Sequence, residues 1–281
     1  VLSRRQRQMC IRDRFILILL FMDISAQTLP SDLIWNDNET GYYEIESNNI
    51  DLTHFETVDQ KLIISSGKIE NIIEKLSIEE KIAMCHAQSK FSSAGVPSLG
   101  IPELWMSDGP HGIRAEMNWD DWDYANWTND YVTAFPALTC LAATFNPDLS
   151  LDYGISLGEE ARYRKKDVLL GPGINIYRTP LNGRNFEYMG EDPYLASKMV
   201  VPYIKGVQQN GVAACVKHFA LNNQEHWRGH INVEVSDRAL HEIYLPAFKA
   251  AIIEGKSWAI MGAYNKYSCL LYTSDAADDL G

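Results

Sequence analysis

Apolar positions in this 281-residue chain fall into short runs separated by stretches of helical periodicity. Val212 to Val216 is one such run, directly after the helix-stopping pair Asn210-Gly211, and it reads as a buried strand of a parallel sheet. The run then breaks into Lys217 and His218, followed by a polar loop to Arg228. Leu104 to Met106, Leu138 to Ala143, Val168 to Ile176 and Trp258 to Ala263 read as further strands. Helical signal covers 67–76, and Ser77-Ile78-Glu79-Glu80 is a capping box that opens a helix to about Gln88. Asn146-Pro147-Asp148 opens a helix with Leu149, Tyr153, Leu157 and Ala161 on one face. Asp192-Pro193 opens one to Asn210, and Ser236-Asp237-Arg238 caps one to Glu254. Strands alternating with helices of this length mean βα units and a parallel sheet, with five such units at most.

Composition narrows the class. A hydrophobic content of 46% over this length supports a large core. The net charge of −12 argues against nucleic acid as a partner. Seven Trp and fourteen Tyr suit sugar rings, but aromatics also fill cores. Five cysteines in no paired spacing indicate no disulfide framework, and Cys140 and Cys215 read as core residues.

Residues 12–26 have the form of a signal peptide: Arg12 and Arg14, the apolar run Phe15 to Met22, and a small residue at Ala26. The expected location is therefore secreted or periplasmic, with no membrane attachment after cleavage. Residues 27–66 are polar and aromatic and read as an extended N-terminal segment. Asn38-Glu39-Thr40 and Asn126-Trp127-Thr128 match the glycosylation acceptor. Residues 1–14, basic and patternless, and 268–281, which abandon the strand–helix rhythm, read as foreign sequence.

Polar residues gather where the strands end: Asp108; Arg178, Arg184 and Glu187; Lys217, His218 and Arg228; Tyr264 and Asn265. In a parallel barrel these ends share one face. Two cations at the end of a buried strand require a partner or a ligand, because unpaired buried charge is costly. One acid, several fixed cations, an imidazole and a phenol suit a neutral, polyhydroxylated ligand. A phosphate fits less well, since no glycine loop followed by Lys opens a helix. His226 and His230, spaced i,i+4 beside Glu225, would suit a metal on a helix, but Trp227-Arg228-Gly229 is a poor helix and no third ligand is evident. No metal or cofactor is expected.

Over about residues 76–266 the chain resembles the N-terminal (β/α) barrel domain of family 3 glycoside hydrolases, the β-glucosidase and β-xylosidase group. The stretches that carry the resemblance are Leu76 to Ile82; Gly95-Val96-Pro97 through Arg114 with Ser107-Asp108-Gly109-Pro110-His111-Gly112; Phe135-Pro136; Gly171-Pro172-Gly173-Ile174-Asn175-Ile176; Gly183-Arg184-Asn185-Phe186-Glu187 through Glu191-Asp192-Pro193; Lys217-His218-Phe219 with Asn222-Asn223-Gln224-Glu225; and Met261-Gly262-Ala263-Tyr264-Asn265. It implies an α/β fold, an incomplete (β/α)8 TIM-type barrel of about five of the eight strand–helix units, over residues 67–267. It implies that Asp108 holds hydroxyls of the non-reducing-end sugar, that Arg184, Lys217, His218 and Arg228 complete that subsite, and that Tyr264 lies beside the reacting carbon. Glu187 reads equally as a site residue or as a carboxylate that only orients Arg184, and Arg178 reads as structural.

Such hydrolases retain configuration with a carboxylate nucleophile and a second carboxyl as acid/base. In the family the nucleophile is an Asp in a Ser-Asp-Trp-type strand end, downstream of the Tyr-Asn motif. Ser274-Asp275 is followed by Ala276 and no apolar strand leads into it, so Asp275 does not fit the role. The expectation is a chain truncated before the nucleophile, which keeps the substrate-binding residues of a β-glucosidase or β-xylosidase and is itself inactive. The alternative is a non-catalytic sugar-binding remnant. The expected partner is a β-linked gluco- or xylo-oligosaccharide or an aryl glycoside.

Overall fold

The computed structural model describes residues 69–126, 130–267 and 270–271. The signal peptide, the 27–66 segment, both glycosylation acceptors in part or whole, and Asp275 lie outside the described residues. The chain divides into two compact units, with the boundary at Leu104 and Trp105.

In the first unit a helix over 69–75 (α1) precedes Ile78–Met84 (α2). The capping box forms as the sequence predicts: Glu80 N donates to Ser77 Oγ at 3.1 Å, and Ser77 N donates to Glu80 Oε2 at 2.8 Å. The helix stops at Met84, short of the predicted Gln88. A two-residue strand, Ser92–Ser93 (β1), and a 3-10 turn, Pro97–Leu99, follow.

The second unit holds the sheet that positions the site. Leu104–Asp108 (β2), Val168–Leu170 (β3), Ala213–Phe219 (β4) and Ala259–Gly262 (β6) run parallel in that order. Asp108 sits opposite Leu170, and Lys217 opposite Met261. The carboxyl ends of successive strands therefore fall side by side, as an α/β fold of (β/α)8-barrel type requires. Between the strands come Leu138–Ala142 (α3), Pro147–Tyr163 (α4) and Pro193–Gln208 (α5). A two-residue strand, Asn232–Val233 (β5), and the helices Asp237–Ala239 (α6) and Pro246–Ile253 (α7) lie between β4 and β6. Lys266–Tyr267 (β7) pairs with β5 in parallel and with Leu270–Leu271 (β8) in antiparallel.

Three further predicted elements differ. Leu138 to Ala143, predicted as a strand, is helix α3: Leu138, Leu141 and Ala142 are buried while Thr139 and Cys140 are exposed, a helical spacing that the short apolar run concealed. The strand predicted over Val168 to Ile176 ends at Leu170, where Gly171-Pro172 follows and Pro172 has no amide to continue a ladder. The helix predicted over 236–254 is broken by a π turn, Leu240–Tyr244, in which Leu245 N donates to Leu240 O at 3.0 Å before Pro246 restarts the helix.

The core lies between the sheet and α4, α5 and α7, with Leu157, Leu169, Met199, Ile204, Val207, Val216 and Phe248 all buried. Each such side chain contributes about 1.5–3 kcal/mol. On α4, Tyr153, Leu157 and Ala161 face this core as predicted, but Leu149 is 43% exposed. Its place is taken by Ser150, Gly154 and Gly158, small residues at i, i+4 and i+8 that let α5 approach closely. A Cβ at Gly154 would lie 2.3 Å from Tyr203 O, and one at Gly206 2.4 Å from Leu151 O. Tyr203, fully buried on α5, donates its hydroxyl to Pro110 O at 2.6 Å and so ties the helix layer to the loop behind Asp108.

Candidate active site

Strand β4 is buried because both its faces are covered, yet it ends in two polar residues. Lys217 and His218 are each 1% exposed. The register of β4 on β6 jumps between Lys217 and Phe219, a bulge that breaks the strict alternation of side chains at this point. Asn175, after β3, braces the bulge: His218 N donates to Asn175 Oδ1 at 2.8 Å, and Asn175 Nδ2 donates to His218 O at 3.0 Å.

The charges form a continuous alternating chain. Lys217 Nζ donates to Asp108 Oδ1 at 2.8 Å and lies 3.5 Å from Glu187 Oε2. Glu187 pairs with Arg184 Nε, and Arg184 Nη1 is 3.9 Å from Glu225 Oε1. Glu225 Oε2 accepts from Arg228 Nη1 at 3.2 Å, and the Arg228 guanidinium lies 4.5 Å from the centroid of the Tyr264 ring. At the other end Arg114 Nη1 is 3.7 Å from Asp108 Oδ2. Four cations thus alternate with three carboxylates, so each buried charge faces an opposite one.

Burial alone would raise the Asp108 carboxyl, but Lys217, Arg184 and Arg114 reverse this and hold it below the usual carboxylate range. Its side chain remains 36% exposed, so an ionised acceptor opens toward solvent. His218 is held well below the ordinary imidazole value, first by burial and then by Arg184, Lys217 and Arg228. It is therefore neutral near pH 7. Asn222 Nδ2, a donor only, donates to Tyr188 Oη at 3.0 Å and lies 3.5 Å from His218 Nδ1. Tyr188 Oη is 3.2 Å from the same Nδ1. Tyr188 Oη in turn donates to Asn222 O at 3.3 Å, and Asn222 Nδ2 also donates to Glu225 Oε1 at 3.1 Å, so Nδ1 of His218 sits inside a buried hydrogen-bond network.

Five of the six residues singled out from sequence are joined by direct contacts: Asp108, Arg184, Lys217 and Arg228 in the charge chain, and Tyr264 beneath Arg228. His218 adjoins them, its ring centroid 6.4 Å from that of Tyr264. Glu187 pairs with both Arg184 and Lys217. Arg178 lines a separate surface cavity with Tyr177, Thr179, Pro180 and Glu191. Residues 226–230 form turns, with Trp227 at φ 62°, so His226 and His230 do not share a helix face. Sequence reasoning did not assign Glu225, Arg114, Tyr188 or Asn222. Glu225 and Arg114 lie inside quoted motifs, but the pairing of Glu225 with the distant Arg184 has no local signature.

Residues 56–273 match the profile of the Glycosyl hydrolase family 3 N terminal domain. The chain is 73% identical over 199 residues to Beta-glucosidase BoGH3A of Bacteroides ovatus, a match that covers 71% of the chain and 27% of the relative. It is 44% identical over 199 residues to Thermostable beta-glucosidase B of Acetivibrio thermocellus, covering 70% of the chain and 26% of the relative. The solved structure of β-glucosidase 3B from Thermotoga neapolitana in complex with glucose superposes with a TM-score of 0.66 at 40% identity, covering 73% of this chain and 30% of that one. The chain spans about a quarter of the length of the curated relatives it matches.

Proposed function

The chain belongs to glycosyl hydrolase family 3, and from that premise we propose that it supplies the sugar-holding wall of a retaining hydrolase of O-glycosidic bonds at the non-reducing end of β-glucosides or β-xylosides. The observation that carries this reading is the buried Lys217 fixed on the partly exposed carboxylate of Asp108. A neutral sugar needs strong acceptors and strong donors on one surface. Asp108 provides the acceptor, while Arg184 and Arg228 provide donors beside the His218 ring. Tyr264, held by Arg228, forms the adjoining wall.

Hydrolysis also requires a carboxylic acid that can give up a proton near neutral pH. Asp108 is held ionised, and Glu187 and Glu225 are each gripped by arginine. We therefore propose that the 281 residues bind the sugar but do not cut it, and that the nucleophile and acid/base come from sequence outside the described residues. The engagement of all three carboxylates also supports a second reading, a module that binds sugar without catalysis. We further take residues 12–26 as an export signal, for which a mature N-terminus at Gln27 in the exported protein is the check.

The experiment is an aryl β-glucoside assay on the 281-residue chain and on the full product of its gene. The chain alone is expected to release no phenol, and the full product to release it with retention and to lose activity on Lys217→Ala. Turnover by the chain alone that disappears on Lys217→Ala would overturn the division of labour. A full product inactive on β-glucosides and β-xylosides alike favours the binding module.

A further inference from the structure

Glu225 stands in the loop between β4 and β5, where it meets Arg228 twice. Its main-chain oxygen accepts from Arg228 N at 3.1 Å, and its Oε2 accepts from Arg228 Nη1 at 3.2 Å. The other carboxylate oxygen, Oε1, accepts from Asn222 Nδ2 at 3.1 Å and lies 3.9 Å from Arg184 Nη1. One carboxylate therefore joins arginines that reach it from different loops, Arg184 after β3 and Arg228 after β4.

An exposed ion pair three residues apart would by itself contribute little. This one differs in what it ties together. Glu225 is 22% exposed, both its oxygens are engaged within the protein, and Asn222, which donates to it, is buried. Arg184 has a second carboxylate in Glu187, whereas Arg228 is 45% exposed and is held by Glu225 and by the Tyr264 ring 4.5 Å away. The turn that brings Arg228 back to Tyr264 passes through Trp227 at φ 62°, an uncommon conformation for a bulky residue. Trp227 is 70% exposed, so burial of its ring does not hold that turn. Glu225 closes it with main chain and side chain together.

We propose that Glu225 is a positioning residue of the sugar site: it fixes Arg228 between Arg184 and Tyr264 and acts on the sugar through Arg228, without touching it. This rests on the sugar site argued under Proposed function. An ionised carboxylate only accepts hydrogen bonds, so Arg228 and Asn222 must both turn N–H groups toward it. Its charge also offsets the repulsion between the two arginines. A donor held in place beforehand loses less freedom when the ligand arrives. Glutamine at this position would match the size but supply neither the charge nor an acceptor on both sides.

The test is a double-mutant cycle on glucose binding by the 281-residue chain, followed by NMR titration, with circular dichroism to show that each variant is folded. Glu225→Gln is expected to weaken glucose about tenfold in the unaltered chain, the size of a lost charge-assisted contact, and less than about twofold when Arg228 is already replaced by Met. Lost stability alone is controlled at a second ion cluster that shares none of these contacts, where Glu116 takes Lys166 Nζ at 2.7 Å and lies 3.6 Å from Arg164. Lys166→Met is expected to lower the melting temperature and keep the glucose affinity. If Glu225→Gln does not fold, Glu225→Asp, which keeps the charge on a shorter arm, is read in the same cycle. If Arg228→Met leaves no measurable binding, Arg228→Lys takes its place, and the loss is again expected to shrink. An equal fold-loss in both Arg228 backgrounds, or no loss on replacing Glu225, overturns the positioning role and leaves the sugar site standing. If the folded, unaltered chain binds no glucose, the sugar site falls and the positioning role falls with it.

Discussion

Lys217 Nζ lies 2.8 Å from Asp108 Oδ1 across 109 positions of sequence. The lysine is 1% exposed and the carboxylate side chain 36% exposed. The pair has a closed end and an open end: the cation is buried, and the anion it stabilises is partly exposed. Asp108 is thereby kept ionised by a group that a ligand does not displace.

The pair's coupling is measurable by a double-mutant cycle. Lys217→Met is expected to cost about 2–4 kcal/mol in urea unfolding, and Asp108→Asn about 1–3 kcal/mol, less because its open side is screened by water. The double variant is expected to cost less than the sum, with a coupling of about 1–2 kcal/mol. Additive effects would show that the two residues do not interact.

His218 sets a pH dependence with a definite sign. Its folded-state value lies well below the ordinary imidazole value of 6.5, so only the unfolded chain takes up this proton as pH falls. Its contribution to stability is constant above pH 6.5 and is lost as pH falls below it, with a slope of at most about 1.4 kcal/mol per pH unit. His218→Gln is expected to flatten the stability profile between pH 5 and 6.5. An unchanged slope would mean that His218 is protonated in the fold.

Asp108 contributes at lower pH with the same direction. Its depressed folded value means that its stabilisation is present above the ordinary carboxylate value of 3.8 and is lost as pH falls through the folded value. Acid unfolding of Asp108→Asn is expected to be shallower than that of the unaltered chain below pH 4.

Gly154 tests the close seam between α4 and α5. A methyl there would lie 2.3 Å from a backbone oxygen, and Tyr203 O has no flexible end to move. Gly154→Ala is expected to lower stability by about 1–3 kcal/mol despite its gain in helix propensity. Because α5 carries the Tyr203 hydroxyl bond to Pro110, sugar binding is expected to weaken along with stability.

Much of this was legible in the sequence, and the exceptions have physical causes. Caps at Ser77, Asn146, Asp192 and Ser236 marked true helix starts because capping is local chemistry. Lys217 and His218 were conspicuous because an apolar run rarely ends in two ionisable residues without a reason, although the structure keeps His218 neutral. The Leu138–Ala142 helix was missed because five residues are too few to separate period 3.6 from a buried strand. Leu149 was placed on the buried face because periodicity weighs hydrophobicity, whereas this helix packs through the small residues Ser150, Gly154 and Gly158. Glu225 and the Arg164–Glu116–Lys166 clamp were invisible because ion pairing across the fold depends on topology rather than on neighbours in the chain.

The central claim is that Asp108, locked by Lys217, is the acceptor for sugar hydroxyls. Calorimetric titration of glucose into the 281-residue chain and into its Asp108→Asn variant tests this most directly, with circular dichroism to show that both are folded. Saturable binding by the chain, weakened at least about tenfold in the variant, is the result the account predicts, since a charged acceptor is worth roughly 1.5–3 kcal/mol. Equal binding by the two proteins, or none by the folded chain, would contradict it.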